Sequence, residues 1–566
     1  MYIFRIIFFG CCCIFNTVGI AASAQISTAK VPDASSDVSI ASPLINLPFK
    51  CQKLETLQFR VDKMPVIDNK GLQAMLRLHN AMNGKPLWTK DNTITSQARI
   101  LIEHLSRADS KGLHISTYTG NIDWIKYLQG TNDLSELICH DLVFSAVLMR
   151  YISHARMGQL NPRKFNLTYS KQKSKKLDLA KLIIQLAQSN TPIALLDSLE
   201  PNSHPYRVLV RLLQQYQGGM KDKQQYGSLV IKKVLSPGKS YPELKYLASR
   251  LESFGVLPQG YNATLIDTVY NPTLVQAVKD FQRRYGLRVD GIIGSNTLSA
   301  LNGSIEDKLI VAIERWRWLP EQLGNRPIFV NIPEYKLYAL EPDNTMGWYK
   351  TALSMRVIVG ADRYNTPSIY SSIRSIELMP YWNVPISILR NEMFKRIKGY
   401  GISSHYEIVN SSGVPLQFSK KLLSGLWNGT IQLRQKPSRN NVLGFAKFRF
   451  PNRDSIYLHG TPNKRLFHRG NRALSHGCIR LQDEVHFATY LLKDQGWNEQ
   501  RIRKVIRRGE NYVVRLKKPV AIYLTYNTTL VNSNGSLSFV YDVYKHDAEI
   551  LRALQRIAQE GVTKLI

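Results

Sequence analysis

The hydrophobic pattern of the chain changes its period at the segment RWRWLP, Arg315 to Pro320. Before this segment, apolar residues recur mainly at the three- and four-residue spacing of helices. After it, short runs alternate polar and apolar residues, as strands do. The chain has 566 residues, whereas a single hydrophobic core rarely grows beyond about 300. The sequence therefore predicts a multidomain α+β protein with a helical part first and a mainly β part second.

The predicted helical scaffold covers residues 46–240. Its clearest helix is ICHDLVFSAVLMRYISHARMG, in which apolar side chains recur at helical spacing from Ile138 to Ile152 and Gly158 provides a stop. Two histidines of this helix, His140 and His154, are predicted to be packing or surface residues rather than ligands. We expect the whole region to serve as structural support.

A second compact unit is predicted at residues 243–302. Apolar residues from Leu274 to Phe281 form one helix stripe, and Asp290-Gly291 predicts a turn before a closing helix. The stretch AVKDFQRRYGLRVDGIIGSNTLSALN resembles the peptidoglycan-binding module found beside many wall enzymes. That resemblance implies either binding to the wall or a purely architectural role, and the sequence leaves both open.

The predicted β domain covers residues 320–525. Its strand candidates are the alternating, β-branched runs PIFVNIPEYKLYAL, ALSMRVIVG, SSIRSIEL, SIYLHGT and YVVRLKKPVAIYLTY. A more polar insertion interrupts them at residues 385–450, and we interpret it as a lid over a reactive site, with a surface loop as the alternative. Residues 526–566 close with a helix, and this extension is predicted to pack back on the scaffold.

The first 24 residues have the order of a secretory signal: Arg5, an apolar run from Ile6 to Val18, and then Ala22-Ser23-Ala24. We expect cleavage after this tripeptide, followed by a flexible leader rich in Ser, Ala and Pro at residues 25–45. Export predicts a periplasmic protein. An uncleaved helix that anchors the protein in the inner membrane is the alternative.

Removal of the signal leaves three cysteines, Cys51, Cys139 and Cys478. An odd number in an oxidising compartment leaves at least one thiol free. Cys51 and Cys139 can pair while Cys478 stays reactive, or both can be buried thiols.

The formal net charge of +33 predicts a polyanionic partner. Phospholipid headgroups, nucleic acid and the carboxylate-rich peptides of a bacterial wall all fit this charge. A generally basic proteome explains it equally well, so charge alone selects none of these partners.

The segment HGTPNKRLFHRGNRALSHGCIRL, from His459 to Leu481, places three histidines near one cysteine. A cysteine attacks carbonyls as a thiolate, so it needs a base in reach and N–H donors for the developing negative charge. SIYLHG predicts a strand that ends at His459, and SHGC predicts a glycine turn that places Cys478 at the start of the helix DEVHFATYLLKD. Backbone amides of the turn would form an oxyanion hole, and the helix N-terminus would favour the thiolate.

Two other roles fit parts of this segment. Zinc binding would use His459, His468, His476 and Cys478, although their spacing matches no zinc pattern known to us. A buried structural cysteine is the second alternative, against which the neighbouring glycine and Arg480 argue. We therefore expect no metal and no other cofactor.

HGTP and SHGC at this separation resemble the signature of the YkuD-type L,D-transpeptidases. The stretches RWRWLP, YWNVP, LRQKPSRNNVLG, FRFPN and DVYKHD are similar to those of the large YcbB-like members. Such members join a helical scaffold, a peptidoglycan-binding module and a capped, mainly β catalytic domain. The resemblance covers nearly the whole chain after the signal and implies the same fold class here.

The resemblance also implies a role for each residue of the two motifs. Cys478 would be the nucleophile, His459 its general base, and the carbonyl of Gly460 the group that orients the imidazole. The oxyanion hole would form around His476, Gly477 and Cys478, and the substrate-binding residues would be Tyr457, Ser475 and Arg480.

Two positions depart from the family pattern. The common motif closes with Asn where this chain has Arg480, although some Gram-negative-type members also have Arg there. YcbB-like members often have an acidic residue at the position of Gly460. If the third catalytic group is a backbone carbonyl, glycine can supply it. A requirement for a carboxylate at this position would put the activity in question.

The resemblance implies a transpeptidase that takes an acyl group from a tetrapeptide stem, releases D-Ala and forms a 3→3 cross-link with a second stem. Peptidoglycan stem peptides would be the substrate partners, other wall-synthesis enzymes are further candidates, and nucleic acid is not expected. Carbapenem-type β-lactams would acylate the same thiol. An L,D-carboxypeptidase, a lipoprotein-anchoring transferase and a non-catalytic wall-binding protein are the alternatives.

Overall fold

The computed structural model describes residues 69–560, apart from 166, 170–176, 220–228, 233, 258–267, 344 and 346. The predicted signal at residues 1–24, the leader at residues 25–45 and Cys51 lie outside this part of the chain. The described residues belong to one compact unit. No described helix combines the length and the apolar character that crossing a bilayer requires.

The scaffold region is helical, as its pattern predicts. Its helices are α1 (Asn69–Met82), α2 (Ser96–Leu105), α3 (Trp124–Gln129), α4 (Leu134–Met157), α5 (Leu179–Gln188), α6 (Pro192–Asp197) and α7 (His204–Gly219), and its short strands are β1 (Thr89–Lys90), β2 (Thr93–Ile94) and β3 (Leu167–Tyr169). Helix α4 is the centre of this region, because it is buried along nearly its whole length. It begins at the capping side chain of Asp133 and ends at Gly158.

Gly158 allows a close approach between the scaffold and the helix α11 (Ile305–Arg317), which leads into the β domain. A Cβ atom at Gly158 would lie 2.6 Å from Glu314 Oε1 and 2.7 Å from Trp318 Nε1. Glu314 is fully buried and accepts hydrogen bonds from Leu160 N and Trp318 Nε1. The RWRWLP segment is therefore a packing element that fixes the β domain to the scaffold.

The second unit is a small helical module, as predicted. Its helices are α8 (Leu244–Ser253), α9 (Pro272–Arg284) and α10 (Ser295–Leu301). The predicted stripe of α9 is buried, and Phe281 stacks on Tyr285 in the module core. The C-terminal hairpin β17 (Thr529–Val531) and β18 (Leu537–Phe539) adds Phe539 to the same core, where its ring stacks on Tyr285 at 4.7 Å. The module therefore shares its core with the C-terminal extension.

The β domain is built on one mixed sheet that closes on itself. Its strands are β4 (Ile328–Asn331), β5 (Lys336–Asp343), β6 (Trp348–Gly360), β7 (Ser368–Leu378), β12 (Ala446–Arg449), β13 (Leu458–His459), β14 (Ala473–Ser475), β15 (Ile479–Leu481) and β16 (Tyr512–Thr525), with β3 of the scaffold added to β7. The strand order is β12-β13-β15-β6-β5-β4-β16-β7-β3, β14 pairs with β6, and β12 also pairs with β7. The predicted fold class, helical modules followed by a mainly β domain, is confirmed.

The interior of this sheet is apolar because alternate residues of each strand point into it. Val357 and Val359 of β6 are fully buried, and helices α15 (Glu484–Leu492) and α16 (Glu499–Arg508) cover the sheet through side chains such as Phe487 and Ile502. Strands β13 and β15 are parallel, with Leu458 opposite Ile479 and His459 opposite Arg480. This pairing brings the two halves of the histidine and cysteine segment together.

The insertion contains a small domain of its own. Strands β8 (Trp382–Asn383), β9 (Tyr406–Val409), β10 (Pro415–Leu416) and β11 (Gln432–Gln435) form a four-stranded sheet, with helices α12 (Ile386–Ile388), α13 (Phe394–Tyr400) and α14 (Leu423–Asn428) and a π-helix at Leu389–Met393. Its core includes Ile397, Ile408 and Leu433. Strand β12 also falls within the predicted range 385–450, but it pairs with β7 and β13 in the main sheet. The separately folded part therefore ends before β12.

The C-terminal extension continues from the hairpin into helix α17 (His546–Glu560). Ile550 and Leu554 of this helix pack with Leu160 of the scaffold and Trp318. Ser116 Oγ donates a 2.6 Å hydrogen bond to the carbonyl of Ala558. The extension thus contacts both the scaffold and the end of α11.

Candidate active site

Cys478 lies in a tight turn between strands β14 and β15. Gly477 has a φ of +105°, a conformation that favours glycine. Ser475 closes the turn, because its hydroxyl donates to the carbonyl of Cys478 at 2.6 Å and accepts from the Gly477 N–H at 3.2 Å. Ser475 is buried and its hydroxyl is occupied within the turn, so its position does not support the substrate contact predicted for it.

The prediction that Cys478 begins a helix is wrong. Residues Ile479–Leu481 form strand β15, and helix α15 begins only at Glu484, capped by the Asp483 side chain. Ile479 and Leu481 are fully buried and belong to the sheet, because β15 pairs with β13 and β6. The thiol is therefore separated from the helix N-terminus by a whole strand, and the helix cannot supply the predicted support for a thiolate.

A second set of hydrogen bonds fixes the turn from the other side. Thr366 Oγ1 donates to the Gly477 carbonyl at 2.7 Å and accepts from the Gly360 N–H at 2.8 Å. Tyr544, from the DVYKHD segment, donates its hydroxyl to the Gly360 carbonyl at 2.6 Å and accepts from Thr366 N at 3.3 Å. The C-terminal extension therefore takes part in holding the cysteine in place.

His459 ends strand β13 and is buried. Its Nδ1 lies 2.6 Å from the carbonyl oxygen of Gly460. A carbonyl can only accept a hydrogen bond, so Nδ1 carries the proton and Nε2 of the neutral ring keeps the basic lone pair. Burial and, next, the positive charge of Arg480 lower the pKa of His459 to about 3. The imidazole is therefore neutral at every ordinary pH.

Strand alternation places Cys478, Arg480 and His459 on one face of the sheet, because His459 pairs with Arg480 and Cys478 precedes Arg480 by two residues. The thiol is hydrogen-bonded to the backbone and the phenol of Tyr457. Burial raises the pKa of Cys478 even though these bonds and the charges of Lys447 and Arg480 lower it. The resting state thus has a neutral thiol and a neutral imidazole on the same sheet face.

The thiol opens into a cavity of about 800 Å³. Cys478, Tyr457 and three basic residues line it, and the insertion domain contributes Asn383 and Ser387. The basic residues are Arg374, Lys447 and Arg449. The cavity therefore combines a free thiol with a positively charged wall.

Sequence reasoning missed this basic wall, although the strand FAKFRF contains a signal for it. Ala446 and Phe448 are buried in the main core, and the alternating residues Lys447 and Arg449 point to the other face. Lys447 Nζ lies 4.3 Å from the centre of the Tyr457 ring, and burial lowers the pKa of its amine. Lys447 and Arg449 are two positions apart, so in a strand both point to the same face. Once β12 is recognised as a strand that precedes HGTP, these two basic residues predict a binding face.

His476 connects the cysteine turn to the insertion domain. Its Nε2 lies 2.8 Å from Glu392 Oε1, in the π-helix Leu389–Met393, and its ring lies 4.5 Å from that of Tyr364. The Gly477 N–H is taken by Ser475, whereas the amides of His476 and Cys478 donate to no acceptor among the described residues. Those two amides are the available donors for a developing oxyanion.

His459 and Gly460 do not line the cavity, and two other residues of the segment also lie away from it. Arg480 is beside His459 rather than on the cavity wall, and burial lowers the pKa of its guanidinium. His468 is exposed at the end of the 3₁₀-helix Lys464–His468. Within the described residues, no three His, Cys, Asp or Glu side chains are arranged to hold a metal ion. Of the two described cysteines, Cys139 is disulfide-bonded and Cys478 is free.

Comparison with protein-family models divides the chain into three domains. Residues 73–213 match a scaffold domain, residues 240–301 a "Putative peptidoglycan binding domain", and residues 325–496 the YkuD L,D-transpeptidase catalytic domain. The chain carries a YkuD L,D-transpeptidase domain. The resemblance seen in HGTP and SHGC is thereby confirmed, and both Cys478 and His459 lie inside the YkuD domain.

A curated protein of Haemophilus influenzae named "Putative L,D-transpeptidase" is 31% identical to this chain over 250 residues. The alignment covers 44% of this chain and 49% of that protein, so the chain spans about half the length of its relative. A crystal structure of a fused Zn-dependent amidase/peptidase/peptidoglycan-binding protein from Clostridium acetobutylicum is 12% identical, with a TM-score of 0.15, over 52% of this chain and 99% of that one. At that score the likeness carries no inference about the fold.

The raised pKa of the thiol in the YkuD domain gives a pH dependence. We expect the rate at which iodoacetamide alkylates Cys478 to keep rising with pH beyond the range of an ordinary cysteine, because burial disfavours the thiolate. Tyr457→Phe, which removes the phenol hydrogen bond, should shift the profile further upward. Intact-mass spectrometry at a series of pH values measures both rates. A profile with its midpoint at or below about pH 8.5, where ordinary cysteines titrate, would contradict the expectation.

Proposed function

We propose that the protein is an L,D-transpeptidase that forms 3→3 cross-links in peptidoglycan, with Cys478 as the acyl carrier. The observation that supports this most directly is the free thiol of Cys478 at the 800 Å³ cavity, on the same sheet face as a neutral His459. The YkuD domain and the peptidoglycan-binding domain support peptidoglycan as the substrate. We also propose that the protein acts in the periplasm, where this substrate lies.

The first half-reaction transfers an acyl group to the enzyme. The donor is the amide between meso-diaminopimelate and the terminal D-Ala of a tetrapeptide stem. His459 Nε2 takes the thiol proton while Sγ bonds to the carbonyl carbon, and the oxyanion is bound by the amides of His476 and Cys478. When the C–N bond breaks, His459 gives the proton to the leaving amine. D-Ala departs and a thioester stays on Cys478.

The second half-reaction runs through the same groups in reverse. The side-chain amine of a second stem attacks the thioester carbon, and His459 takes its proton. The tetrahedral intermediate collapses with breakage of the C–S bond, the thiol regains its proton from the imidazolium, and the new amide is the 3→3 cross-link. One pair of backbone amides therefore stabilises the oxyanion twice.

The basic wall fits the charge of the proposed substrate. A tetrapeptide stem carries free carboxylates near the bond that breaks, and Arg374, Lys447 and Arg449 line the cavity beside the thiol. In a partly enclosed site, such charges attract an anionic substrate and orient it. Of these three, Lys447 holds its ammonium over the ring of Tyr457, whose phenol is hydrogen-bonded to the thiol.

Incubation of the protein with purified tetrapeptide muropeptides tests the proposal, with mass spectrometry of the products. A dimer that has lost one Ala supports transfer to a second stem. A monomer that has lost Ala indicates hydrolysis and would replace the proposal by an L,D-carboxypeptidase. Unchanged substrate, with Cys478 free, would favour the wall-binding protein without activity.

The insertion domain is proposed as a lid over the thioester, and its ends allow a clean excision. Asn383 of β8 pairs with Arg434 of β11, so residues 385–432 can be replaced by an Asn-Gly turn that keeps the β8–β11 hairpin. We expect a large loss of cross-linking with little change in melting temperature, because the domain has its own core. An excised protein that cross-links at the parental rate would contradict the role of a lid.

A smaller change tests the contact between the insertion domain and the cysteine turn. Glu392→Gln removes the carboxylate that contacts His476 Nε2, and Glu407→Gln is a matched control, because Glu407 pairs with Arg434 inside the same domain at 2.6 Å. Since a partly exposed polar contact of this kind is worth at most about 1 kcal/mol, we expect Glu392→Gln to reduce turnover roughly two- to fivefold. The control should leave turnover unchanged. Equal effects of the two variants would show that the contact between Glu392 and His476 does not contribute to turnover.

A further inference from the structure

The space beside Gly460 is filled by the carboxylate of a distant residue, Glu484. A Cβ atom on Gly460 would overlap the Glu484 carboxylate, and even the Cγ of Glu484 would be only 2.8 Å away. The backbone of Gly460 does not have a positive φ, so glycine is required there by space rather than by conformation. Gly444 faces the same group, since a Cβ on it would lie 2.7 Å from Glu484 Oε1. The two glycines together form a slot for one carboxylate.

Hydrogen bonds and one ion pair hold this carboxylate in the slot. Glu484 is 2% exposed, its Oε1 accepts from the Phe445 N–H at 3.3 Å, and its Oε2 lies 2.5 Å from Lys464 Nζ. Lys464 also donates to the carbonyl of Gln482 at 2.9 Å. Glu484 therefore joins three segments: the start of β12, the loop that follows His459, and the first turn of α15.

This junction fixes the peptide group that orients the imidazole. Gly460 N–H donates to the Ala446 carbonyl at 3.0 Å, and the Gly460 carbonyl accepts from His459 Nδ1 at 2.6 Å. The bond from the Gly460 N–H to β12 fixes the peptide group before this residue. Glu484 fills the space beside the Gly460 α-carbon, which restricts rotation of the following peptide group, whose carbonyl faces His459. Glu484 does not line the cavity of the thiol, so its influence on the chemistry passes through Gly460 and His459.

We propose that Glu484 is a positioning residue for His459, and that it supplies from helix α15 the carboxylate that a side chain at position 460 would otherwise place in the same slot. The proposal rests on the role of His459 as the base in the proposed function. Gly460 and Glu484 are then an exchangeable pair: an acidic residue fits at one of the two positions and a small residue at the other. A glycine in the HGTP motif is accordingly compatible with activity here.

The decisive experiment moves the carboxylate from one position to the other. Glu484→Ala leaves the slot empty, and Gly460→Asp in the parental chain forces two carboxylates into one slot. We expect each variant to lose about 10- to 100-fold in cross-linking rate, the loss that follows removal of a group that orients a metal-bound histidine, which is the comparable case. The double variant Gly460→Asp/Glu484→Ala refills the slot and should return to within about fivefold of the parental rate, because residues in contact are not additive. Losses that multiply in the double variant would overturn the proposal.

A second readout separates this inference from the proposed function. Iodoacetamide alkylation of Cys478 needs no peptide substrate, and His459→Ala gives the rate without the base. We expect Glu484→Ala to approach that rate and the double variant to approach the parental one. If the parental protein alkylates normally but cross-links no muropeptide, the proposed function fails while the alkylation series still tests Glu484. Alkylation of Glu484→Ala at the parental rate would overturn the inference even if cross-linking fell.

Folding is controlled by the melting temperature and by an isosteric variant. Asp483 still caps α15 when Glu484 is changed, because its side chain accepts from the His486 N–H at 2.8 Å. If Glu484→Ala does not fold, Glu484→Gln carries the test, since it keeps the volume and an acceptor for Phe445 N–H but loses the charge that attracts Lys464. Slower alkylation at an unchanged melting temperature supports the proposal, and unchanged alkylation refutes it.

Discussion

Cys478→Ala should abolish cross-linking while the protein stays folded. Losing the nucleophile of a coupled catalytic group typically removes several orders of magnitude in rate, on the order of 10⁶ in the best-studied hydrolase. Cys478 is half-buried in a turn whose geometry depends on Gly477, Ser475 and Thr366 rather than on the thiol. Muropeptide products measured by mass spectrometry, together with the melting temperature, decide the result. Measurable cross-linking by the folded variant would falsify the mechanism.

The same variant has a check that requires no peptide. A carbapenem-type β-lactam offers a strained carbonyl to the same thiol, so the parental protein should gain one adduct per chain and Cys478→Ala none. Peptide mapping should place the adduct on Cys478, because Cys139 is disulfide-bonded and has no thiol to acylate. An adduct elsewhere would mean that the cavity does not activate this cysteine.

His459→Ala should reduce cross-linking by about 10²- to 10⁴-fold, the usual contribution of a general base. The neutral ring offers Nε2 as a base because its Nδ1 proton is committed to Gly460 O. His468→Ala is the matched control, since His468 belongs to the same HGTP to SHGC segment but is exposed and away from the cavity. We expect this control to keep the parental rate.

An equal loss in the two histidine variants would contradict this assignment and would favour the metal-binding alternative. Metal analysis of the purified protein then provides an independent measurement. If the protein contains stoichiometric zinc, and His468→Ala loses both the zinc and the activity, the mechanism with Cys478 as nucleophile and His459 as base is wrong.

Local patterns predicted the helices and the long strands well. Enough apolar residues are buried to make the period recognisable in three places: the stripe of α9, the central helix α4 and the alternating runs of β5 to β7. Strand β15 is different because it has three residues and follows a glycine turn. Its two apolar residues, Ile479 and Leu481, are too few to establish a period, and the pairing with β13 and β6 makes this segment a strand.

The motifs predicted the candidate catalytic residues but not the groups that hold them. The cysteine turn is supported by Thr366 and Glu392, and the segment around Gly460 is supported by Glu484. These three residues come from separate elements of the chain. No short-range pattern links such residues to a site, because their proximity arises only when the sheet closes. The packing around Gly460 could not be predicted either, because a sequence shows that glycine has no side chain but not that the Glu484 carboxylate occupies the adjacent space.

Helix α11 has a consequence for how the peptidoglycan-binding domain can be used. Ile305 packs into the module core, Trp318 packs with α17, and Arg315 forms a 2.5 Å ion pair with Asp547 of α17. A connection buried in this way lacks the slack of a flexible tether, so the distance from the module to the thiol is set by the fold. Removal of the module would leave Phe539 without the stacking partner Tyr285. The shortened protein should therefore have a lower melting temperature and should lose any affinity for the wall.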